Sequence, residues 1–297
     1  MEILRASTTA HDIFTAISLT GELDLWEGMV SPDSKDSRQG VVRDSALMDF
    51  EGRVSGNRAA IEETVRAQLG VDAAERFLSF VRPSVGFAVR RDLIESGSLI
   101  GGVPRTTESF GWPDYRGHPM VLLAQLDCGQ VARLLGRDWT LPRDGYLLFF
   151  YEDDFAAEFS FNHGDDGCRV VHVAAGSDGQ PREGGGPVIP ALPLEPSALP
   201  SVPTWADREA DQAAGGDVLA LINLDKALSA LIPTPRHRLL GWCDGDTPRP
   251  KGHRPLLQLE AEPGTAWGEI VNVSFWIRHE DLRVGDLSNV RRSYEVA

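Results

Sequence analysis

Apolar residues recur at helical spacing from about residue 57 onward. Ile61, Val65 and Leu69 lie four residues apart, which places them on one face of a helix. A second apolar face runs through residues 72–81 and stops before Pro83, because proline disfavours helical backbone in the residue before it. The pattern predicts two consecutive helices that form a hairpin.

From Ser84 onward the pattern of apolar residues changes to short runs separated by Gly- and Pro-rich turns. Val85, Phe87 and Val89 alternate with smaller or polar residues, which is the period-two pattern of a half-buried strand. We predict strands over residues 85–89, 121–126, 146–151, 168–173, 256–259 and 270–277. Many strands and few helices indicate a mainly β fold of the α+β class.

Between residues 176 and 216, 14 of 41 residues are Gly or Pro, which predicts a long loop. Its scattered apolar residues, among them Leu192 and Leu194, leave open that part of it docks as an edge strand. After this loop, Asp217 is placed to cap a helix whose apolar face ends before Pro233. This is the one helix that we expect to be inserted among the strands.

Two segments resemble each other without gaps: residues 123–127 (Leu-Ala-Gln-Leu-Asp) and 256–260 (Leu-Leu-Gln-Leu-Glu). An aromatic strand follows each of them, so we predict an internally duplicated β roll or sandwich-like core with a ligand cleft between its two repeats. Chance similarity of two apolar strands is the alternative. The predicted segments are a weakly ordered N-terminal extension (1–56) and a β-rich domain (57–297) with a first repeat (84–175), the Gly/Pro-rich loop (176–216) and a second repeat (217–297).

Composition narrows the partners that the protein can have. The chain carries 29 Lys and Arg against 44 Asp and Glu, a net charge of −15, which argues against binding nucleic acid or an anionic membrane and favours a partner with a basic surface. No apolar run approaches the roughly 20 residues of a membrane span or the core of a signal peptide, so we expect a cytoplasmic protein. Its three cysteines are widely spaced, which predicts buried thiols without a disulfide or zinc site.

An acidic segment offers one candidate site. Asp153, Asp154, His163 and Asp165 could supply oxygen and imidazole ligands to a divalent metal. The alternative is a solvated loop, since the spacing fits no EF-hand and Asp-Asp-Gly is ordinary turn chemistry.

A basic segment offers a second candidate site. Arg236, His237 and Arg238 precede Trp242, and together they could hold a phosphate or a carboxylate through forked guanidinium contacts. The alternative is that these cations pair with surplus carboxylates on the surface, where such pairs contribute little.

Tryptophans and glutamines near the repeated motifs could line the predicted cleft. Trp112, Trp242 and Trp276 would bind a planar or peptide group there, although Trp is also a large core residue whose indole N–H needs a partner. Gln125 and Gln258 occupy matching positions in apolar strands, where a buried amide must be hydrogen-bonded and is expected to bridge strands.

Motifs for nucleophilic, phosphate-loop, dinucleotide or zinc-protease chemistry do not occur in the chain. We therefore predict a binding or interaction module without a cofactor, rather than an enzyme. Two alternatives stay open: a metal-assisted hydrolase that uses the acidic segment, and a binder of a small acidic ligand at the basic segment.

The ordered series of motifs resembles a bacterial family of unknown function typified by YwqG. The resemblance covers roughly residues 57 to 297 and implies a mainly β, roll-like fold with internal duplication, and no established activity. It rests on residues 100–104 (Ile-Gly-Gly-Val-Pro), 110–113 (Phe-Gly-Trp-Pro), 123–127 (Leu-Ala-Gln-Leu-Asp), 145–151 (Gly-Tyr-Leu-Leu-Phe-Phe-Tyr), 237–241 (His-Arg-Leu-Leu-Gly), 257–259 (Leu-Gln-Leu) and 275–277 (Phe-Trp-Ile).

Overall fold

Apolar strands make up most of the described molecule, and a pair of helices precedes them. The computed structural model describes residues 58–93, 95–152, 167–175, 180–181, 188–231, 237–244, 249–265 and 270–296. The predicted extension over residues 1–56 lies outside the described residues. Residues Arg53–Ala297 form one compact unit.

The N-terminal helical pair is confirmed. Helix α1 covers residues 58–69 and helix α2 covers Val71–Leu78. Between them Gly70 has a φ of 71°, a conformation that glycine adopts without steric cost. Both helices turn their apolar faces inward and pack in a cluster with helices α4 (Arg208–Ala214) and α5 (Val218–Ser229).

Every strand predicted from the apolar runs is present. The longer strands are β1 (Arg82–Val89), β6 (Val121–Asp127), β7 (Tyr146–Tyr151), β8 (Cys168–Val173), β10 (Leu192–Ser201), β12 (His253–Glu260), β13 (Ile270–Arg278) and β14 (Arg291–Val296). The shorter ones are β2 (Leu99–Ile100), β3 (Arg105–Thr106), β4 (Asp114–Tyr115), β5 (His118–Pro119), β9 (Gln180–Pro181) and β11 (His237–Leu239).

Helices are more numerous than the sequence pattern predicted. Besides α5, whose predicted cap Asp217 accepts a hydrogen bond from the Ala220 N–H, the described residues contain α3 (Cys128–Leu135), α4 and α6 (His279–Val284). These three helices have six to eight residues each, too few for a helical period to stand out from the flanking strands.

Ten strands form a single antiparallel sheet in the order β14-β13-β12-β11-β1-β10-β2-β6-β7-β8. Strands β3 and β9 form a separate pair, as do β4 and β5. The fold is therefore mainly β, as predicted, with ten of the described strands in one large sheet.

Strand β10 corrects the predicted loop over residues 176–216. It lies in the middle of the sheet and pairs with β1 from Leu194 to Ser201, although it contains Pro193, Pro196 and Pro200. On its other side β2 pairs only with Leu192 and Pro193. Because most of that side carries no ladder, the N–H groups that proline lacks are not needed there.

The sheet curls until its two edges nearly meet. The rings of Phe149 in β7 and Phe275 in β13 contact edge to face, with centroids 5.2 Å apart. Close to the two edge strands, the Cys168 thiol donates to the Val290 carbonyl oxygen, and Arg292 pairs with Glu152 at 3.0 Å. The enclosed space is filled by the largest apolar cluster of the described residues.

The sheet order is symmetric about the β1–β10 pair. On one side β11, β12, β13 and β14 follow one another, and on the other side β2, β6, β7 and β8 do. After β2 the Gly101 N–H donates to the Leu123 carbonyl, and after β11 the Leu240 N–H donates to the Leu256 carbonyl. These contacts sit at matching places in the two predicted repeats, whereas the duplication itself stays a prediction.

Candidate functional site

A buried glutamine shapes a groove in the first half of the sheet. Gln125 is inaccessible to solvent in β6; its Oε1 accepts from the Arg105 N–H at 2.6 Å and its Nε2 donates to the Gly97 carbonyl at 2.9 Å. Arg105 and Gly97 both line the groove. Gln125 therefore joins two walls of this site rather than facing a ligand, which agrees with the strand-bridging alternative.

The groove has a volume of about 550 Å³, which is within the range of small-molecule and peptide sites. Its walls come from the residues before β2, the end of β6, the first turn of α3 and the middle of β10. Leu93, Leu194 and Pro196 supply apolar surface, and Tyr146 adds an aromatic ring. The second predicted repeat contributes no lining residue, so this groove does not lie between the two repeats.

Hydrogen-bond acceptors dominate the polar lining of the groove. Glu95, Asp127 and Glu195 place three carboxylates there. The Oε1 atom of Gln130 is buried and has no hydrogen-bond partner in the described part of the chain. A buried acceptor without a donor is costly, so the groove is suited to a ligand that carries N–H groups and positive charge.

Cations satisfy only part of these acceptors. Arg90 forms an ion pair with Glu195 and another with Asp92, and these hydrogen bonds raise the pKa of its guanidinium. Asp127 caps α3 through its Oδ1, which accepts from the Gln130 N–H at 2.9 Å. Arg105 also lines the groove, so one further cation stands against the carboxylates of Asp127 and the exposed Glu95, and the lining keeps an excess of negative charge.

A second polar network lies in the other half of the sheet. Arg238, 3% exposed, directs both terminal nitrogens to Asp244 at 3.3–3.4 Å and donates to the Trp242 carbonyl at 2.7 Å. Gln258 accepts from the Asp244 N–H at 2.6 Å and donates to the Asp244 carboxylate. Cys243 donates to the Gln258 oxygen, so this glutamine also holds backbone and side chains of its own repeat.

Arg249 ties this network to helix α4. Its Nε donates to Asp207 at 3.0 Å, and its Nη2 donates to the Thr204 hydroxyl and to the Cys243 carbonyl. Asp207 in turn accepts from the Thr204 N–H. Apart from the Arg238 Nε, which is buried without a hydrogen-bond partner among the described residues, the donors named here point at protein acceptors. The network therefore holds the segment after β11 against the sheet.

His237 has its two ring nitrogens in different roles. Nδ1 accepts from the Glu260 N–H, so the proton of the neutral ring is on Nε2, which donates to Glu262 at 3.0 Å. Burial lowers the pKa of His237, although Glu262 opposes that effect. The side chain is inaccessible to solvent, so His237 supports the strand rather than contacting a ligand.

The stability of the protein is expected to fall below about pH 6.5 because of His237. The unfolded state gains a proton there while the folded state resists it, so unfolding is favoured as pH falls. His237→Gln should flatten the pH dependence of the unfolding free energy, measured by denaturant titration between about pH 5 and pH 8. His118→Gln, on the exposed strand β5, is the control; identical profiles for wild type and His237→Gln would contradict this role.

The three tryptophans proposed as ligand contacts all have their indole N–H satisfied by the protein. Trp112 donates to the Met120 carbonyl, Trp242 to the Phe80 carbonyl and Trp276 to the Ser293 hydroxyl. Trp112 packs with Phe110 and Phe150 in a separate apolar cluster. The structure thus places Trp242 near Arg238, Trp276 near Arg249, and Trp112 in a different part of the core.

Five of the predicted site residues cannot be placed. These are Arg236 and the proposed metal ligands Asp153, Asp154, His163 and Asp165, which lie outside the described residues. The ligand-binding role of Arg236 and the metal site therefore remain predictions. Among the residues that the structure does describe, no group of three or more His, Cys, Asp or Glu could hold a metal.

The cysteines are buried and free, as predicted. Burial raises the pKa of Cys128 and that of Cys243 to about 12. The thiolate, which is the nucleophilic form, is therefore scarce at neutral pH at both positions.

The groove residues were missed at the sequence level. Asp127 ends the Leu-Ala-Gln-Leu-Asp motif of residues 123–127, and apolar residues follow it at helical spacing (Val131, Ala132 and Leu135). A helix capped by Asp127 could therefore have been predicted. Glu95 and Glu195 are far apart in sequence and line the same groove because β2 pairs with β10. No local pattern brings these two carboxylates together.

Residues 98–295 match the family described as a domain of unknown function, DUF1963. The chain belongs to this family. No curated protein matches it. Most of the groove and the whole of the Arg238 network fall within the DUF1963 span, whereas α1, α2 and β1 precede it.

Strand β1 is nevertheless integral to the fold of this DUF1963 chain. It pairs with β10 on one side and with β11 on the other, so it joins the two halves of the sheet. None of the helices in the described part of the chain combines the length and apolar character needed to cross a membrane.

Proposed function

We propose that this DUF1963 chain is a binding module of the bacterial cytoplasm, related to YwqG, that recognises a basic segment of a protein partner in the groove. The observation that carries the proposal is the set of acceptors in the groove: the carboxylates of Glu95 and Asp127 and the unpartnered, buried Oε1 of Gln130. A lysine or arginine head supplies the N–H donors and the positive charge that these acceptors require.

The shape of the groove supports the same class of ligand. Lysine and arginine side chains have an apolar stem below the charged head, and the stem packs against apolar surface while the head reaches polar groups. Leu93, Leu194 and Pro196 offer such surface, and the Tyr146 ring can attract a cation through its face. The net charge of −15 adds a long-range attraction for a basic partner.

Catalysis finds no support in the groove. Two of its three carboxylates already have protein partners: Asp127 accepts from the Gln130 N–H as the cap of α3, and Glu195 pairs with Arg90. No cysteine lines it, and the three cysteines are buried. Binding therefore accounts for the observed groups better than hydrolysis does.

A lysine- and arginine-rich peptide is expected to bind the full chain saturably, measured by calorimetry at low and at physiological salt. Glu95→Gln combined with Asp127→Asn should weaken the peptide affinity about tenfold, because two partly exposed ion pairs are lost. Asparagine remains a good helix cap, so α3 should stay intact. Affinity should also fall as salt screens the charges.

The matched control is Glu63→Gln, which removes an exposed carboxylate of α1 that does not line the groove. It should leave the peptide affinity unchanged. Equal weakening by Glu63→Gln would show that peptides respond to net charge alone, and an unaltered affinity in the double variant would reject the groove.

A further inference from the structure

Strands β1 and β12 both extend beyond the end of β11, the short strand that lies between them in the sheet. Strand β11 ends at Leu239, which pairs with Val85 of β1 on one side and with Leu257 of β12 on the other. Arg82 lies three residues before Val85, and Arg254 lies three residues before Leu257. Both arginines therefore stand beyond the end of β11, on strands about 10 Å apart.

The chain leaves the sheet here through a tight turn. Leu240 and Gly241 have φ angles of 61° and 77°, and a Cβ atom on Gly241 would approach the Ser201 side chain to 2.5 Å. The turn brings the Trp242 ring beneath Arg82, whose guanidinium carbon lies 3.5 Å from the ring centroid. Stacking on a buried ring fixes the position of this guanidinium.

Arg254 has no counter-ion in the described part of the chain. Its Nε is buried and makes no hydrogen bond. Burial, together with the nearby charge of Arg82, lowers the pKa of Arg254 to about 10. A half-buried guanidinium that is repelled by a like charge is destabilising unless an anion lies between the two.

The other charged groups nearby do not neutralise this excess. Glu209 and Asp207 both attract Arg82, but Asp207 is already paired with Arg249, and neither carboxylate forms an ion pair with Arg82 within the described residues. His279 lies close enough to both Arg82 and Arg254 for their charges to lower its pKa, with burial as the larger cause. His253 adds a buried Nε2 without a hydrogen-bond partner among the described residues.

We propose that Arg82 and Arg254, with His279 beside them, form a binding site for a phosphate group at the end of β11. A tetrahedral phosphate has enough oxygens to accept from two guanidinium forks at once, whereas a carboxylate has only two. This site is separate from the groove, since none of its residues lines the groove, and its charge has the opposite sign.

Inorganic phosphate titrated into the full chain is the test, with chloride at equal ionic strength as the reference. Calorimetry should show saturable binding, and the melting temperature should rise with phosphate concentration. Arg254→Gln should weaken phosphate binding about tenfold, because it removes a charge-assisted donor. Acetate should bind more weakly than phosphate.

Folding defects can be separated from loss of the site. Arg254→Gln removes an unpaired, repelled cation, so its melting temperature in chloride should equal or exceed that of the wild type. Arg137→Gln removes an exposed arginine elsewhere and should keep the full phosphate response. An equal phosphate response in Arg254→Gln, no response beyond chloride in the wild type, or equal binding of acetate would overturn the proposal.

Discussion

Asp244→Ala is expected to lower the free energy of unfolding by about 3–5 kcal/mol. The substitution leaves the Arg238 guanidinium buried with neutral acceptors only, the Trp242 carbonyl and the Ser201 hydroxyl. It also removes the carboxylate that the Gln258 amide donates to. An uncompensated charge of this kind costs more than the intact pair stabilises. Denaturant unfolding followed by tryptophan fluorescence measures the effect.

Two further variants define the origin of this loss. Arg238→Met combined with Asp244→Leu removes both charges, and it should destabilise less than Asp244→Ala does alone. Asp211→Ala, at an exposed position of α4, should change stability by no more than about 0.5 kcal/mol. If Asp244→Ala cost as little as Asp211→Ala, the network would not hold the segment after β11.

Phe275→Ala is expected to cost about 3–5 kcal/mol. Phe275 is inaccessible to solvent and contacts Phe149 across the interior of the curled sheet. Truncation leaves a cavity where the two halves of the sheet face each other, and a closely packed interior relaxes into such a cavity only in part. Phe275→Leu retains most of the volume and should cost less than half as much. Thermal and denaturant unfolding both report the difference.

A double-mutant cycle tests whether this contact closes the sheet. Phe149→Leu and Phe275→Leu together should show a coupling energy of about 0.5–1.5 kcal/mol, the range for aromatic pairs. Phe275→Leu combined with Phe77→Leu should be additive, because Phe77 lies in the separate helical cluster. Additivity in the first cycle would mean that the two halves do not pack against each other through these rings.

The two proposed sites divide the molecule by charge. Among the described residues, the groove in the first half carries one unpartnered acceptor, the Gln130 Oε1, and the end of β11 in the second half carries the unpaired cation of Arg254. The two binding experiments are therefore independent. A groove variant that loses peptide binding should still bind phosphate, and Arg254→Gln should still bind the peptide.

The spacing of apolar residues along the chain predicted six strands and the N-terminal helices. The strands β1, β6, β7, β8, β12 and β13 and the pair α1 and α2 are recognisable because their apolar residues follow a strand or helix pattern. Gln125 and Gln258 were recognised as buried amides that must be hydrogen-bonded, and each indeed binds backbone groups of its own repeat. These predictions needed only spacing and the cost of burying a polar group.

Strand β10 could not be predicted in the same way. Three prolines argue against a central strand whenever both neighbours are assumed to pair fully. They are tolerated because β2 is two residues long, and that fact depends on how the chain folds elsewhere. The short helices α3, α4 and α6 were not predicted either, because fewer than three turns are too short to show a helical period of apolar residues.

By itself the sequence determined the fold class, the positions of six strands and the acidic character of this chain, because each follows from local composition and spacing. Only the tertiary structure decided which charges meet. Glu95 and Glu195 line one groove through the pairing of β2 with β10, and Arg82 and Arg254 stand on either side of the end of β11. Both pairs are about 100 or more positions apart in the chain, where chain spacing no longer constrains distance.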